Sequence, residues 1–396
     1  MKRDFNTLLI PVESQVRELD GKLFLACIAA EQGFKVIIGS RAHIHFYASK
    51  VQNCIYIAKS MRRFSHRMFT ILNDLGHRIV AWDEESLVRL PDEQYYLHRL
   101  CPKTFSHIDH LFAWGESDAQ VFKHYSAYQE QPIHITGNPR VDIIRPELCD
   151  YFSPEKNKLL EKYGDYILIN TNFGQVNHFI PDVGRNEANR DKNFSEQSRD
   201  SFISNRYSHK KKLFAYFKNI LPELAKTFPN INFILRPHPS ENSQYWHEHL
   251  KNYNNVFVCN QGNVIPWIMS AKALISNGCT TSIEATILNK PTLGYYPITN
   301  LEIDDALPKA LCSVSNDDEQ LLSNIENIIS ENNIELRNHQ HTLSKHISNL
   351  TESFASDKII EVIDKNYIKT NYNHNFTSRI KGKIHNNART IIKNIN

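Results

Sequence analysis

A chain of 396 residues is longer than one hydrophobic core usually organises, so two domains are expected. Its 41% hydrophobic and 22% charged residues are those of an ordinary globular protein, and no run approaches the roughly 20 apolar residues of a transmembrane helix. A formal net charge of +3 is too small to argue for a nucleic-acid partner, and the seven cysteines are scattered, with no CxxC pair and no His/Cys cluster at metal spacing, which reads as free cytosolic thiols.

The first fifteen residues, MKRDFNTLLIPVESQ, begin charged, but the apolar run Leu8 to Val12 is short and lacks a small-residue cleavage site. They predict a first strand, Thr7–Val12, rather than a signal peptide, and so a cytoplasmic protein. A helix over 20–32 follows, closed by Gly33, and then a strand over 35–39. Further strands are expected at 54–58, 78–82, 110–114 and 133–136, with helices at 64–75 and 117–125 between them. Short Val/Ile/Leu runs alternating with helical patterns are the mark of a parallel sheet with crossover helices. The pattern restarts with strands at 166–170, 232–236, 256–259, 273–276 and 292–295, and helices at 210–228 and 280–288. The expected fold is therefore α/β, two doubly wound Rossmann-like domains facing across a cleft. Their junction falls in 146–164, giving domains 1–150 and 151–350, followed by a C-terminal helix and basic tail, 351–396. Residues 175–208 are polar without sustained period and predict a long loop. From Asn366 onward the chain carries Lys369, Arg379, Lys381, Lys383, Arg389 and Lys393, no acid, and interleaved isoleucines at 380, 384, 391, 392 and 395. Such a segment fits a basic helix on an anionic membrane surface, or a solvated chain end.

The residues that carry chemistry are expected at the C-terminal ends of the strands, where doubly wound sheets bind ligands. Arg236-Pro237-His238-Pro239 leaves a strand with its backbone fixed by two prolines, which presents a guanidinium and an imidazole suited to a phosphate. Ser276-Asn277-Gly278-Cys279-Thr280-Thr281-Ser282 leads from a strand into a helix start, an anion site of hydroxyls and N–H groups. Glu284 has two open roles, completing a capping box with Thr281 or reaching a ribose hydroxyl. Asn172, in the loop Asn170-Thr171-Asn172-Phe173-Gly174, is expected to touch the same ligand. In Thr136-Gly137-Asn138-Pro139-Arg140, a tight turn, Asn138 and Arg140 are candidates for the substrate cleft, as is Arg17, and a purely structural turn is the competing reading. Glu13 and Glu84 are the candidate catalytic carboxylates, each after a strand, although acids in first helical turns also serve the helix dipole. The absence of GxGxxG, Walker A, GxSxG and HExxH patterns argues against NAD enzymes, P-loop NTPases, serine hydrolases and zincins.

Taken together, RPHP, SNGCTTSIEATILNKPTLGY, TGNPRVD and LINTNFG resemble bacterial surface carbohydrate biosynthesis proteins of the GT-B group, which includes capsule and O-antigen (lipopolysaccharide) glycosyltransferases. More distantly the layout is similar to Kdo transferases, teichoic-acid glycerophosphotransferases and UDP-N-acetylglucosamine 2-epimerases. The resemblance covers residues 7–300. It implies a donor-binding second domain and an acceptor-binding first domain, with Arg236 and His238 at the donor phosphate, His238 catalytic, and Ser282 and Glu284 at phosphate or ribose. It implies a metal-independent glycosyltransferase that needs no cofactor beyond a CMP- or UDP-linked sugar as co-substrate. Its partners would be that nucleotide-sugar and a glycan or lipid-linked acceptor, and no nucleic acid; the basic tail, which lies outside the resemblance, is what suggests peripheral contact at the inner face of the membrane. A UDP-sugar 2-epimerase or a polyol-phosphate transferase is the alternative within the fold, and a non-catalytic scaffold in polysaccharide assembly is the alternative outside it.

Overall fold

The structure is a computed structural model that describes residues 5–180, 196–330, 339–367 and 375–395. The chain divides into two compact units, Met1–Leu148 with Gln340–Asn396, and Cys149–His339.

The first unit is built on a six-stranded parallel sheet in the order β2-β1-β3-β4-β5-β6. The strands are β1 Thr7–Val12, β2 Lys35–Ser40, β3 Cys54–Ala58, β4 Arg78–Ala81, β5 His110–Ala113 and β6 Ile133–Ile135. Successive side chains leave a strand on opposite faces, so a strand buried on both faces must be apolar throughout. β1 and β3 meet that demand, with every residue buried. Leu8, Ile10, Ile55, Ile57, Val80 and Phe112 join one core with Leu25 and Ala29 of the helix Gln15–Glu31. Their neighbours Leu9, Tyr56, Ile79 and Leu111 join a second core with Met68, Phe69 and Leu72 of the helix His66–Asp74.

The C-terminal part of the chain completes this unit. Ile359, Ile360 and Ile363 of the helix Ala355–Tyr367 enter the Leu8–Ile10 core. The Asp142 carboxylate starts that helix by accepting from Ala355 N, Ser356 N and Ser356 Oγ at 2.7–2.8 Å. Arg145 donates to the carbonyls of Asn349, Glu352 and Ser353 at 3.0–3.1 Å. Gly137 has φ +77, and a Cβ there would stand 2.5 Å from Ser348 O, so the turn needs glycine to let the returning chain pass. The purpose of TGNPRVD is thus visible as docking. Asn138 Oδ1 accepts from Arg140 N at 3.0 Å as the N-cap of the short helix Pro139–Asp142, and its side chain is buried, with Nδ2 unpartnered among the described residues.

The second unit has its own six-stranded parallel sheet, β12-β11-β10-β7-β8-β9. Its strands are β7 Tyr166–Asn170, β8 Asn232–Arg236, β9 Val256–Val258, β10 Ala273–Ser276, β11 Thr292–Tyr295 and β12 Ser313–Ser315. Leu213, Phe217, Ile220, Leu221 and Leu224 form one stripe of the long helix Glu196–Thr227, and that stripe covers Ile167, Ile169, Phe233 and Leu235.

The expected strands are all present, and β12 is an addition. Helix ends differ more. The first helix begins at Gln15, ahead of the expected residue 20, because Glu18 folds back onto Glu13 N and Ser14 N and holds the chain as it leaves β1. Part of the expected loop 175–208 is helical from Glu196, and 181–195 of it lie outside the described residues. The tail forms the helix Phe376–Ile395, packed on the helix His66–Asp74.

Candidate functional site

In a doubly wound sheet the order of strands reverses once, and loops leaving the two strands at that point diverge to open a ligand crevice. The second unit reverses between β7 and β10. The loops there are Asn170–Gly174 and Asn277–Cys279, and Asn172 Nδ2 ties them by donating to Gly278 O at 3.1 Å. Gly278, at φ +91, turns the chain into the helix Thr280–Ile287, whose N-cap is the weakly accepting thiol of Cys279 rather than a Ser, Thr, Asp or Asn oxygen. Cys279 Sγ and Thr281 Oγ1 lie 2.6 Å apart beside it. Asn277 is 2% exposed, and neither of its amide atoms has a hydrogen-bond partner among the described residues. A buried, unsatisfied amide costs on the order of 1–3 kcal/mol, and beside a helix N-terminus it offers a donor to an anion.

The loop after β8 closes on the same place. His238 Nδ1 accepts from Ser240 N at 3.2 Å and lies 2.7 Å from Ser240 Oγ. A ring nitrogen that accepts carries no hydrogen, so the neutral ring holds its proton on Nε2. Behind this turn lies Glu241, 2% exposed. Its Oε1 accepts from Thr171 Oγ1, Phe173 N and His238 N at 2.9–3.1 Å, and its Oε2 from Trp246 Nε1 at 3.0 Å. Burial pushes this carboxyl above its ordinary value, and the four donors pull it back only in part. A Cβ on Gly174 would collide with Ser240 Oγ, so the loops after β7 and β8 are in direct contact.

Two expected ligand contacts, Arg236 and Ser282, are engaged within the unit, and Glu284 does not form the expected capping box. Arg236 donates to Gln261 O at 2.8 Å and Gly262 O at 3.1 Å, and its guanidinium stacks 4.8 Å from the Trp267 ring centroid. It braces the loop after β9. Ser282 is fully buried, with its Oγ 2.6 Å from Ser276 Oγ, and so clamps the helix to the end of β10. Glu284 is buried in the helix interior; the N-cap is Cys279, so no capping box forms with Thr281. Thr280 and Thr281 stand in the helix's first turn, half-buried.

The first unit reverses between β1 and β3, and its charges gather there. Buried Glu18 pairs with Lys22 at 2.8 Å and Lys59 at 2.7 Å. Burial alone would raise its carboxyl, but the two lysines outweigh this and hold it at about 2. Glu13, half-exposed, pairs with Lys59 at 2.6 Å and Arg41 at 3.3 Å; burial opposes ionisation here too, and the cations hold it below the usual range. Glu84 faces inward, accepting from Trp82 Nε1 at 2.8 Å with Lys22 Nζ at 3.5 Å, so of the two candidate catalytic acids only Glu13 meets solvent. Arg17 forms a two-pronged pair with Glu85 at 2.7 and 3.0 Å. The backbone of Pro139–Arg140 packs against Gly21. Lys22, Lys59 and Glu241 complete the two sites. Only Lys22 has a local signal, since its spacing from Glu18 matches one helical turn.

No protein-family model matches the sequence, and neither does any curated protein. Solved structures do resemble it. The UDP-GlcNAc 2-epimerase of Neisseria meningitidis bound to UDP-GlcNAc superposes with a TM-score of 0.54 at 11% identity, over 91% of this chain and 99% of its own. The wall teichoic acid polymerase TagF gives 0.55 at 11%, over 92% and 90%. The S. aureus MnaA–UDP structure gives 0.53 at 12%, over 92% and 96%. The fold is GT-B. At such identity the likeness is one of fold, and the GT-B chain's own residues carry its chemistry.

Two consequences are measurable. Glu18, depressed from 4.5 to about 2, contributes stability that is complete above pH 4.5 and lost as the pH falls toward 2. Acid unfolding of wild type and Glu18→Gln should show a stability gap of up to about 3 kcal/mol, constant above that window and shrinking through it. A gap unchanged across the window would contradict the pairing. Gly174→Ala should lower stability by about 1–3 kcal/mol, because Ser240 Oγ must rotate away from His238 to admit the methyl group. Calorimetric melting should show that adding Ser240→Ala recovers part of the loss; an unaffected single variant would refute the packing.

Proposed function

We propose that the protein is a glycosyltransferase that moves a sugar from a nucleotide-activated donor to a surface polysaccharide or lipid-linked glycan. The observation that carries this is the unsatisfied Asn277 beside the start of the helix Thr280–Ile287, at the reversal of a doubly wound sheet, with the Nε2–H of His238 in the same unit. Helix N–H groups and an amide suit the donor's phosphates. When the acceptor hydroxyl attacks the anomeric carbon, the bond to the phosphate oxygen breaks and negative charge grows on the departing nucleotide. His238 meets that charge with a hydrogen bond or a proton. In the first unit Glu13 is the candidate carboxylate for contact with acceptor hydroxyls, since it is ionised and open to solvent whereas Glu18 and Glu84 are buried. Asn172 positions the phosphate loop through Gly278, and Arg236 supports the site from behind.

A second reading is supported by the fold likeness to 2-epimerases, one of which is bound to UDP-GlcNAc. The two readings separate in one assay. Incubated with a nucleotide-sugar alone, a transferase leaves the sugar's configuration unchanged, and release of nucleotide awaits an acceptor. Steady-state inversion at the sugar without acceptor would establish the epimerase instead. His238→Ala should retain nucleotide binding and lose about 100-fold or more in turnover; undiminished turnover would remove His238 from the mechanism.

A further inference from the structure

The helix Phe376–Ile395 has two faces with different fates. Gly382, Asn386 and Arg389, spaced at one helical turn, face the first unit. A Cβ on Gly382 would stand 2.9 Å from Leu75 N, Asn386 is 1% exposed, and Arg389 reaches His45 Nδ1 at 3.3 Å and Met68 Sδ at 3.2 Å. The helix is thus docked, and its outward face is a fixed surface.

That outward face is apolar along one line. Phe376 is 76% exposed, Ile380 44% and Ile384 61%, at successive i, i+4 positions. Lone exposed apolar residues are ordinary; three in register on one docked helix form a ridge that water solvates poorly. Lys381 and Lys383 are exposed beside it, with Lys381 also 3.5 Å from Asp74. The tail from Asn366 holds no acid. On the helix Arg41–Tyr47, which the C-terminal helix packs against, Phe46 and Tyr47 are exposed too, and Lys50 stands over both rings, 4.1 and 5.4 Å from their centroids.

We propose that the helix Phe376–Ile395 is a peripheral membrane anchor that lies along an anionic bilayer, with Phe376, Ile380 and Ile384 entering the acyl boundary and Lys381 and Lys383 meeting the headgroup phosphates. Charge decides between the possible occupants. A second copy would bring another acid-free, basic helix against this one, whereas an anionic lipid surface attracts each exposed lysine and accepts the apolar ridge as well. No described helix is long and apolar enough to cross a membrane, so the contact is one of lying on the surface. The anchor would bring the enzyme to a lipid-linked acceptor, and in that respect it rests on the transferase reading.

The test is co-sedimentation of the full chain with vesicles of phosphatidylcholine alone and of phosphatidylcholine mixed with phosphatidylserine. Binding is expected to the mixed vesicles and to weaken with salt. Ile380→Ser with Ile384→Ser, and separately Lys381→Glu with Lys383→Glu, should each weaken it at least tenfold. The isoleucine pair is exposed, so that variant should keep the wild-type thermal midpoint and nucleotide binding; the lysine variant also loses the Lys381–Asp74 pair, so its fold is checked by circular dichroism before its vesicle binding is read. Deleting the helix would be a poorer test, since it strips the packed face as well. Equal binding to both vesicle types, binding unaltered in the variants, or self-association abolished by the same substitutions would overturn the anchor. Nucleotide binding is read on vesicle-free protein, so failure of the donor site leaves the vesicle result standing.

Discussion

Glu241 is the residue around which the second unit's site is arranged. A carboxylate this deeply buried is tolerated only if its oxygens are satisfied, and here the donors come from two adjacent loops and a helix: Thr171 and Phe173 from the loop after β7, His238 from the loop after β8, and Trp246 from the helix Ser243–Leu250 behind them. The need to satisfy one charge therefore holds two loops in one conformation. That conformation leaves Nδ1 of His238 with Ser240 and its remaining proton on Nε2, and it brings Gly174 so close to Ser240 that any side chain there must displace the Ser240 hydroxyl. The electrostatic demand of Glu241 and the steric demand of Gly174 specify the same geometry, which is how a loop becomes a preorganised site.

The first unit solves a different problem by the same means. Glu18 faces Lys22 and Lys59, and Lys59 also reaches Glu13, so the charges after β1 and β3 neutralise one another inside the protein. The result is one carboxylate, Glu13, left at the surface in its ionised form. A group held below its usual range is a weak proton donor and a stable negative charge, which suits contact with hydroxyls better than protonation of a leaving group.

Much of this was legible in the sequence, for physical reasons that can be named. Strands buried on both faces must be continuously apolar, so TLLIPV, CIYIA and YILIN announce themselves, and the residues at their C-terminal ends are then the natural place to look for a site. What was hidden depends on contacts between distant positions. Arg236 leaves β8 as expected, but its guanidinium turns toward Trp267 and the Gln261 and Gly262 carbonyls, a choice no local pattern encodes. Ser282 looks like a ligand hydroxyl until its partner Ser276 is seen across a turn. Asp142 ends the stretch TGNPRVD, yet its partners, like those of Arg145 just beyond it, are in Asn349–Ser356. Helix propensity is equally quiet about Glu18, whose backbone contacts pull the start of the first helix back to Gln15.

The central claim is that a nucleotide phosphate binds between Asn277 and the start of the helix Thr280–Ile287. Its most direct test is a thermal-shift titration of CMP, CDP, UDP, GDP and dTDP, without added metal, against wild type and Asn277→Ala. The account predicts that at least one nucleotide raises the wild-type midpoint, and that Asn277→Ala, which loses a side chain unsatisfied in the free protein, folds at least as well yet shows little or no shift with that nucleotide. Equal shifts in the two proteins would place the nucleotide elsewhere, and no shift with any nucleotide would contradict the donor site altogether.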